Sequence, residues 1–132
     1  MSDMIGDNCF ACGKANPIGL KLDFSYKTDF ATCSFTLGRV FEGYKSLVHG
    51  GIISTILDEA MAKIIIYKGY IAVTAKIEIK LSNPLLVGKP AEVEATILQK
   101  KKRIIVATSQ IKSADGKLIA KAMGKFIEVA DS

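Results

Sequence analysis

The stretch VHGGIISTILDEAMAKIIIYK, Val48 to Lys68, decides how this chain folds. Two glycines lead into a run whose apolar residues recur at helical spacing. At about 100° per residue, Ile53, Ile56, Leu57, Ala60, Met61, Ile64 and Tyr67 share one broad face, as in a helix laid on a core. Ser54, Thr55, Asp58, Glu59 and Ala62 fall on the other side. Glu59 has Lys63 four residues on, the favourable order for a surface ion pair, and reads as a solvated acid. Asp58 has Ser54 four before it and Ala62 four after, so it lacks a cation on its own helix. Free N–H groups at the helix start, with a carboxylate about two turns in, suit carbonyl chemistry.

Outward from the helix the pattern turns to strands. Before it, β-rich segments run from Leu20 to Tyr26 and from Ala31 to Leu37, with Phe41 to Leu47 as a loop feeding the helix. After Gly69, four more follow: Ile71 to Leu81, Ala91 to Gln99, Arg103 to Lys112 and Leu118 to Val129. The clearest alternation is Lys76-Ile77-Glu78-Ile79-Lys80-Leu81, apolar on one face and charged on the other. Asn83-Pro84, Gly88 to Pro90, the basic run Lys100 to Arg103 and Asp115-Gly116 break the runs, and such short connections imply antiparallel pairing. The expected fold class is α+β: one long central helix wrapped by a curved antiparallel sheet of five to six strands. An irregular, Cys-containing segment (1–18) precedes this domain (19–130). One helix cannot cover both faces of such a sheet, so pairing with another copy is expected.

The 132 residues suffice for one domain with its own core, and 49% hydrophobic against 23% charged residues is a globular balance. The opening MSDMIGDNCF holds an acid and no apolar run, and the apolar stretch around Ile64 to Ile66 is far too short to span a bilayer. A cytoplasmic chain without a membrane partner is the expectation. The net charge is +5. Its only dense source is Lys100-Lys101-Lys102-Arg103, which reads first as a solvated turn and second as a clamp for phosphates on a ligand. Nucleic acid is not expected, because neither a recognition helix nor an aromatic RNA-binding motif accompanies the charge. Three cysteines make no disulfide framework. Cys9 and Cys12 form one C-x-x-C that only His49 could supplement toward a four-ligand zinc site. Two chains could pool their pairs around one ion, but reduced thiols and no metal are the expectation.

HGG followed by an apolar helix with a carboxylate nine residues after the histidine resembles the hotdog-fold acyl-CoA thioesterases. The likeness is strongest to their phenylacetate-pathway branch. FEGYKSLVHGGIISTILDEAM (41–61) resembles that branch's loop and helix, and IAVTAKIEIKLSNPLLVGKPAEVEATI (71–97) its following strands. CFACGKANPIGLKLDF (9–24) resembles an N-terminal segment of a subset of these proteins. The resemblance implies hydrolysis of an acyl-CoA thioester to free acid and CoA, without metal or redox cofactor, by a homodimer that pairs into a dimer of dimers. It implies Asp58 as general base or nucleophile, and the Gly51 N–H as donor to the thioester carbonyl. His49 and Gly50 would shape the acyl site. Thr74 would orient water, reaching the site from the other subunit. Some members carry a threonine one turn after the acid; here that position is Ala62, which leaves Thr74 as the helper. Lys101 and Arg103 are the candidates for CoA phosphates.

Two other functions fit the same scaffold. One is a non-catalytic acyl-CoA binding protein or sensor. The other is a hydratase or dehydratase of acyl thioesters, which fits less well because the single His49 lies before the helix. The acyl group is not readable from the sequence.

Overall fold

In a computed structural model, which describes residues 6–129, one α-helix and six strands follow in the order β1 (Ser25–Lys27), β2 (Phe30–Thr36), α1 (Gly50–Tyr67), β3 (Ala72–Leu81), β4 (Pro90–Lys101), β5 (Ile104–Ser113) and β6 (Leu118–Glu128), with a single 3-10 turn at Arg39–Phe41 before α1. The ends of the two expected regions, residues 1–5 and 130, lie outside the described residues. The strands form a single antiparallel sheet in the order β1-β2-β4-β5-β6-β3. The chain passes from β2 through the helix to β3 at the far edge, then fills the middle with a β4–β5–β6 meander. This is the hotdog fold.

Each boundary of α1 has a chemical cause. The His49 ring caps the start by accepting from the Gly51 N–H at 2.8 Å through Nδ1. Gly43 and Gly51 make room for that ring, since a Cβ on either would sit 3.0–3.3 Å from His49 atoms. At the other end Gly69 takes a left-handed φ of +96°, Tyr70 N–H donates to Ile65 O and Gly69 N–H to Ile66 O. That pair of bonds is a Schellman close, which only glycine enters without strain.

The apolar face lands on the sheet as its spacing predicts. Ile53, Ile56, Leu57, Ala60, Met61, Ile64 and Ile65 are buried against Val93, Ile105, Ile111 and Phe126. Each of these larger side chains, Ala60 apart, stabilises the fold by about 1.5–3 kcal/mol relative to exposure. Small residues let the helix approach: a Cβ on Gly124 would meet Met61 at 3.1 Å. Ser109, the buried polar side chain of this interface, donates its hydroxyl to Leu57 O at 3.0 Å. Tyr67 departs from the expected apolar face. It lies beyond the core, is 51% exposed, and stacks on Tyr26 with ring centroids 4.5 Å apart.

The first expected strand is shorter than its β-rich sequence suggests, only Ser25–Lys27. Residues 6–22 instead fold as a compact loop, in which Leu20 N–H donates to Phe10 O, Leu22 N–H to Ala11 O and Gly13 N–H to Cys9 O. The opposite, convex face of the sheet stays open. Val73, Ile127 and Ile104 lie in one cross-strand row there, 46%, 43% and 44% exposed.

Candidate active site

Gly50, Ser54 and Asp58 recur at i, i+4 and i+8, so they line one side of α1. That side looks onto β3, the edge strand, where the Leu81 side chain lies beside the Gly50 backbone. Asp58 is half-buried, and among the described residues it makes no ion pair. Its Oδ1 accepts a hydrogen bond of 3.0 Å from the Thr74 hydroxyl. Burial pushes the carboxyl above its ordinary value, the Thr74 hydrogen bond opposes that, and the Glu59 charge adds to it. The balance leaves a carboxylate better suited to take a proton than a solvated one.

A β-bulge places Thr74. Thr74 pairs with Phe126 and Lys76 with Lys125, which leaves Ala75 without a partner. Strand parity alone would put Thr74 on the outer face with Lys76, Glu78 and Lys80. The extra residue reverses it, so Thr74 points to the helix beside buried Phe126. The Asp58–Thr74 pair therefore forms within one chain, whereas the resemblance implies a threonine from the other subunit.

The helix start differs from expectation in one hydrogen bond. The Gly51 N–H is taken by His49 Nδ1, while Ile52 N–H and Ile53 N–H both donate to His49 O. Among the described residues, no acceptor is bonded to the Gly50 N–H. His49 is exposed, and its Nδ1 acting as acceptor leaves the ring proton on Nε2.

The basic run divides. Lys100 sits on the concave side because Leu98 is a second bulge, between Ile97 and Gln99. Its Nζ pairs with Glu128 at 3.1 Å, lies 4.9 Å from the Tyr70 ring centre and donates to Lys102 O. Lys102 takes φ +57° in the turn. Lys101 and Arg103 are exposed, and among the described residues neither makes an ion pair. Thr74, Phe126, Ile105 and Lys100 form one row across four strands. Lys100 therefore starts about 14 Å from Thr74, at three strand spacings, and Lys101, opposite Ile104, starts one residue further on with its side chain toward the open face.

Glu59 does pair with Lys63, at 3.5 Å, but it is not solvated. Its side chain is only 16% exposed because the loop carrying Cys9 and Cys12 covers it. Burial, with Glu59 and Cys9 alongside, pushes the Cys12 thiol up to about 12. A thiol held protonated in this way is not a nucleophile at neutral pH.

With this geometry in view, comparison with known proteins fixes the class: the chain belongs to the thioesterase superfamily, matching it over residues 46–120, more than half its length. A curated protein of Saccharolobus solfataricus, provisionally named an esterase, is 34% identical over 82 residues, which is 61% of this chain. The chain spans only 58% of that relative's length. The E. coli PaaI protein, from the phenylacetic acid degradation operon, superposes with a TM-score of 0.79 at 25% identity, covering 88% of this chain and 86% of its own. A Streptococcus mutans protein solved with acetyl-CoA bound gives a TM-score of 0.79 at 18% identity, over 83% of this chain and 90% of its own. Among the described residues, no helix is long and apolar enough to cross a membrane.

Proposed function

We propose that this protein hydrolyses acyl-CoA thioesters, with Asp58 as general base or nucleophile and Thr74 holding its carboxylate in position. The observation that carries this reading is the half-buried Asp58, free of cations among the described residues and fixed by Thr74, on the helix whose first N–H, that of Gly50, has no acceptor there. Attack on a thioester places negative charge on the carbonyl oxygen. A helix N-terminus meets that charge with fixed donors and a partial positive charge. Because His49 occupies the Gly51 N–H, the Gly50 N–H is the donor we assign to the oxyanion. His49 Nε2–H and the Gly50–Gly51 turn then form the wall of the acyl site. The acetyl-CoA bound to the S. mutans protein supports CoA as the thiol, and Lys101 and Arg103 supply charge for its phosphates.

One chain does not complete this site. Gly50 and Asp58 are eight residues apart, a rise of about 12 Å along the helix. A carbonyl whose oxygen meets one and whose carbon is attacked through the other spans about half that distance, at ~3 Å per contact. A two-fold partner whose helix runs antiparallel to this one, joined along the free β3 edge, brings its Asp58–Thr74 pair to this chain's Gly50. The open row of Val73, Ile127 and Ile104 favours a further pairing of two dimers. A cytoplasmic location suits a CoA substrate.

The test is a panel of acyl-CoA thioesters followed by thiol release, for wild type and Asp58→Asn. Hydrolysis by the wild type and its loss in the variant support the assignment. Binding of the panel without hydrolysis by the wild type gives the acyl-CoA binding-protein reading instead.

A further inference from the structure

We propose that Cys9, Cys12 and Glu59 form a binding site for a divalent cation of the zinc class, which pins the N-terminal loop to helix α1. The two sulfurs and a carboxylate oxygen all lie within 4.8 Å of one another, and all three residues are half-buried. A tetrahedral zinc with Zn–S bonds of about 2.3 Å holds its sulfurs about 3.8 Å apart, so closing the site takes shifts of ~1 Å or less. The loop is built for the pair. Gly13 follows the second cysteine, and a Cβ there would fall 2.2 Å from Asp7 O and 2.4 Å from Cys9 N, so only glycine permits this turn.

The charges also close. Lys63 Nζ lies 3.3 Å from Cys12 Sγ and 3.5 Å from Glu59 Oε2, with its side chain 12% exposed. Without metal, two thiols, one carboxylate and one ammonium sum to zero. With metal, two thiolates, the carboxylate, the ammonium and M²⁺ again sum to zero. The cation replaces two thiol protons, which leave to solvent, so burial does not oppose the exchange. Lys63 becomes the outer-sphere donor to a ligating sulfur, an orienting contact of the kind that tunes metal sites. His49 is not the fourth ligand, because ten residues separate it from Glu59, about 15 Å along the chain's helix. Water takes that position. The inference stands apart from the thioesterase reading, since it uses none of Asp58, Thr74 or Gly50.

The experiment uses the untagged chain, stripped with chelator under reductant and titrated with Co²⁺ as spectroscopic probe, then with Zn²⁺ in competition. We expect about one Co²⁺ per chain, a thiolate-to-cobalt charge-transfer band, tetrahedral d–d absorption, and displacement of both by Zn²⁺. The Cys9→Ser/Cys12→Ser chain loses the bands and stoichiometric uptake. Glu59→Gln keeps thiolate bands but binds at least about tenfold more weakly, the scale already seen for losing an outer-sphere partner. Zinc raises Tm in the wild type and not in the double variant. Circular dichroism checks that each variant folds, and Glu59→Gln carries the test if the double variant does not. Failure of the reduced wild type to take up Co²⁺ overturns the site. So does uptake with unchanged affinity in Glu59→Gln, or in the folded double variant.

Discussion

The Thr74 hydroxyl donates to the Asp58 carboxylate at 3.0 Å, from strand β3 to helix α1 of the same chain. The bond fixes which oxygen of Asp58 is occupied and leaves the other for water or a thioester. Asp58→Asn keeps the size of the side chain and removes its charge, so neither a base nor a nucleophile survives. We expect folding and assembly to persist and kcat for acyl-CoA hydrolysis to fall by at least about 10²-fold, the scale of one lost acid–base group. Equal rates for variant and wild type would remove Asp58 from the chemistry.

Thr74→Val tests the same bond through pH. Asp58 must be ionised to act. Burial raises its pKa and the Thr74 hydrogen bond lowers it, so the acid limb of kcat/KM lies above the ordinary aspartate range in the wild type. Removing the hydroxyl moves that limb to still higher pH, because a hydrogen bond to the charged form is lost. The profile is measured on chelator-treated protein, so that Glu59 keeps its own charge. A limb that stays in place or moves to lower pH contradicts the role given to Thr74.

The basic turn divides cleanly enough to test. Lys101→Ala with Arg103→Ala should raise KM for acyl-CoA several-fold and leave kcat similar, the pattern of lost uniform binding. The effect should shrink as salt rises, since the charges are exposed. Lys100 behaves differently, because its loss leaves Glu128 without the 3.1 Å ion pair and removes the contact with Tyr70. An unchanged KM at low salt for the double variant returns Lys101 and Arg103 to the turn alone.

Helix α1 was legible because seven of its apolar positions repeat at the period of the fold they serve, and six of the seven are buried. Tyr67 misleads at the end, where the period continues but the sheet beneath it does not. The strands were legible by alternation and breakers, and Asp115-Gly116 forms its turn with Gly116 at φ +87°. Parity around a bulge was not. Lys76, Glu78 and Lys80 point outward, and counting back by twos puts Thr74 with them; nothing about Ala75 signals that it stands unpaired. Glu59 departs from its solvated reading for a tertiary reason, since nothing on its own helix covers it and the loop that does lies 47 residues earlier at Cys12. Between two adjacent glycines, sequence pattern does not say which N–H the His49 ring takes.

The composite site has a decisive test, because its two halves can be broken in different chains. Gly50 is the first residue of α1, where proline fits a helix and merely lacks an N–H. His49, with φ −59° and ψ 135°, already has the extended backbone that a following proline requires. Gly50→Pro therefore removes the proposed oxyanion donor and leaves the helix. Gly50→Ala keeps the donor while placing the same Cβ 3.3 Å from the movable end of Leu81, and serves as control. Gly50→Pro and Asp58→Asn should each lower kcat by at least about 10²-fold alone. Co-expressed, they pair at random, so about half the dimers are mixed, and each mixed dimer joins an intact Gly50 to an intact Asp58 at one of its two sites. Activity should return to about a quarter of wild type. If Gly50 and Asp58 of one chain serve the same thioester, every site in the mixture is broken and no activity returns. Sedimentation of the wild type as a stable monomer at micromolar concentration would defeat the shared site before any rate is measured.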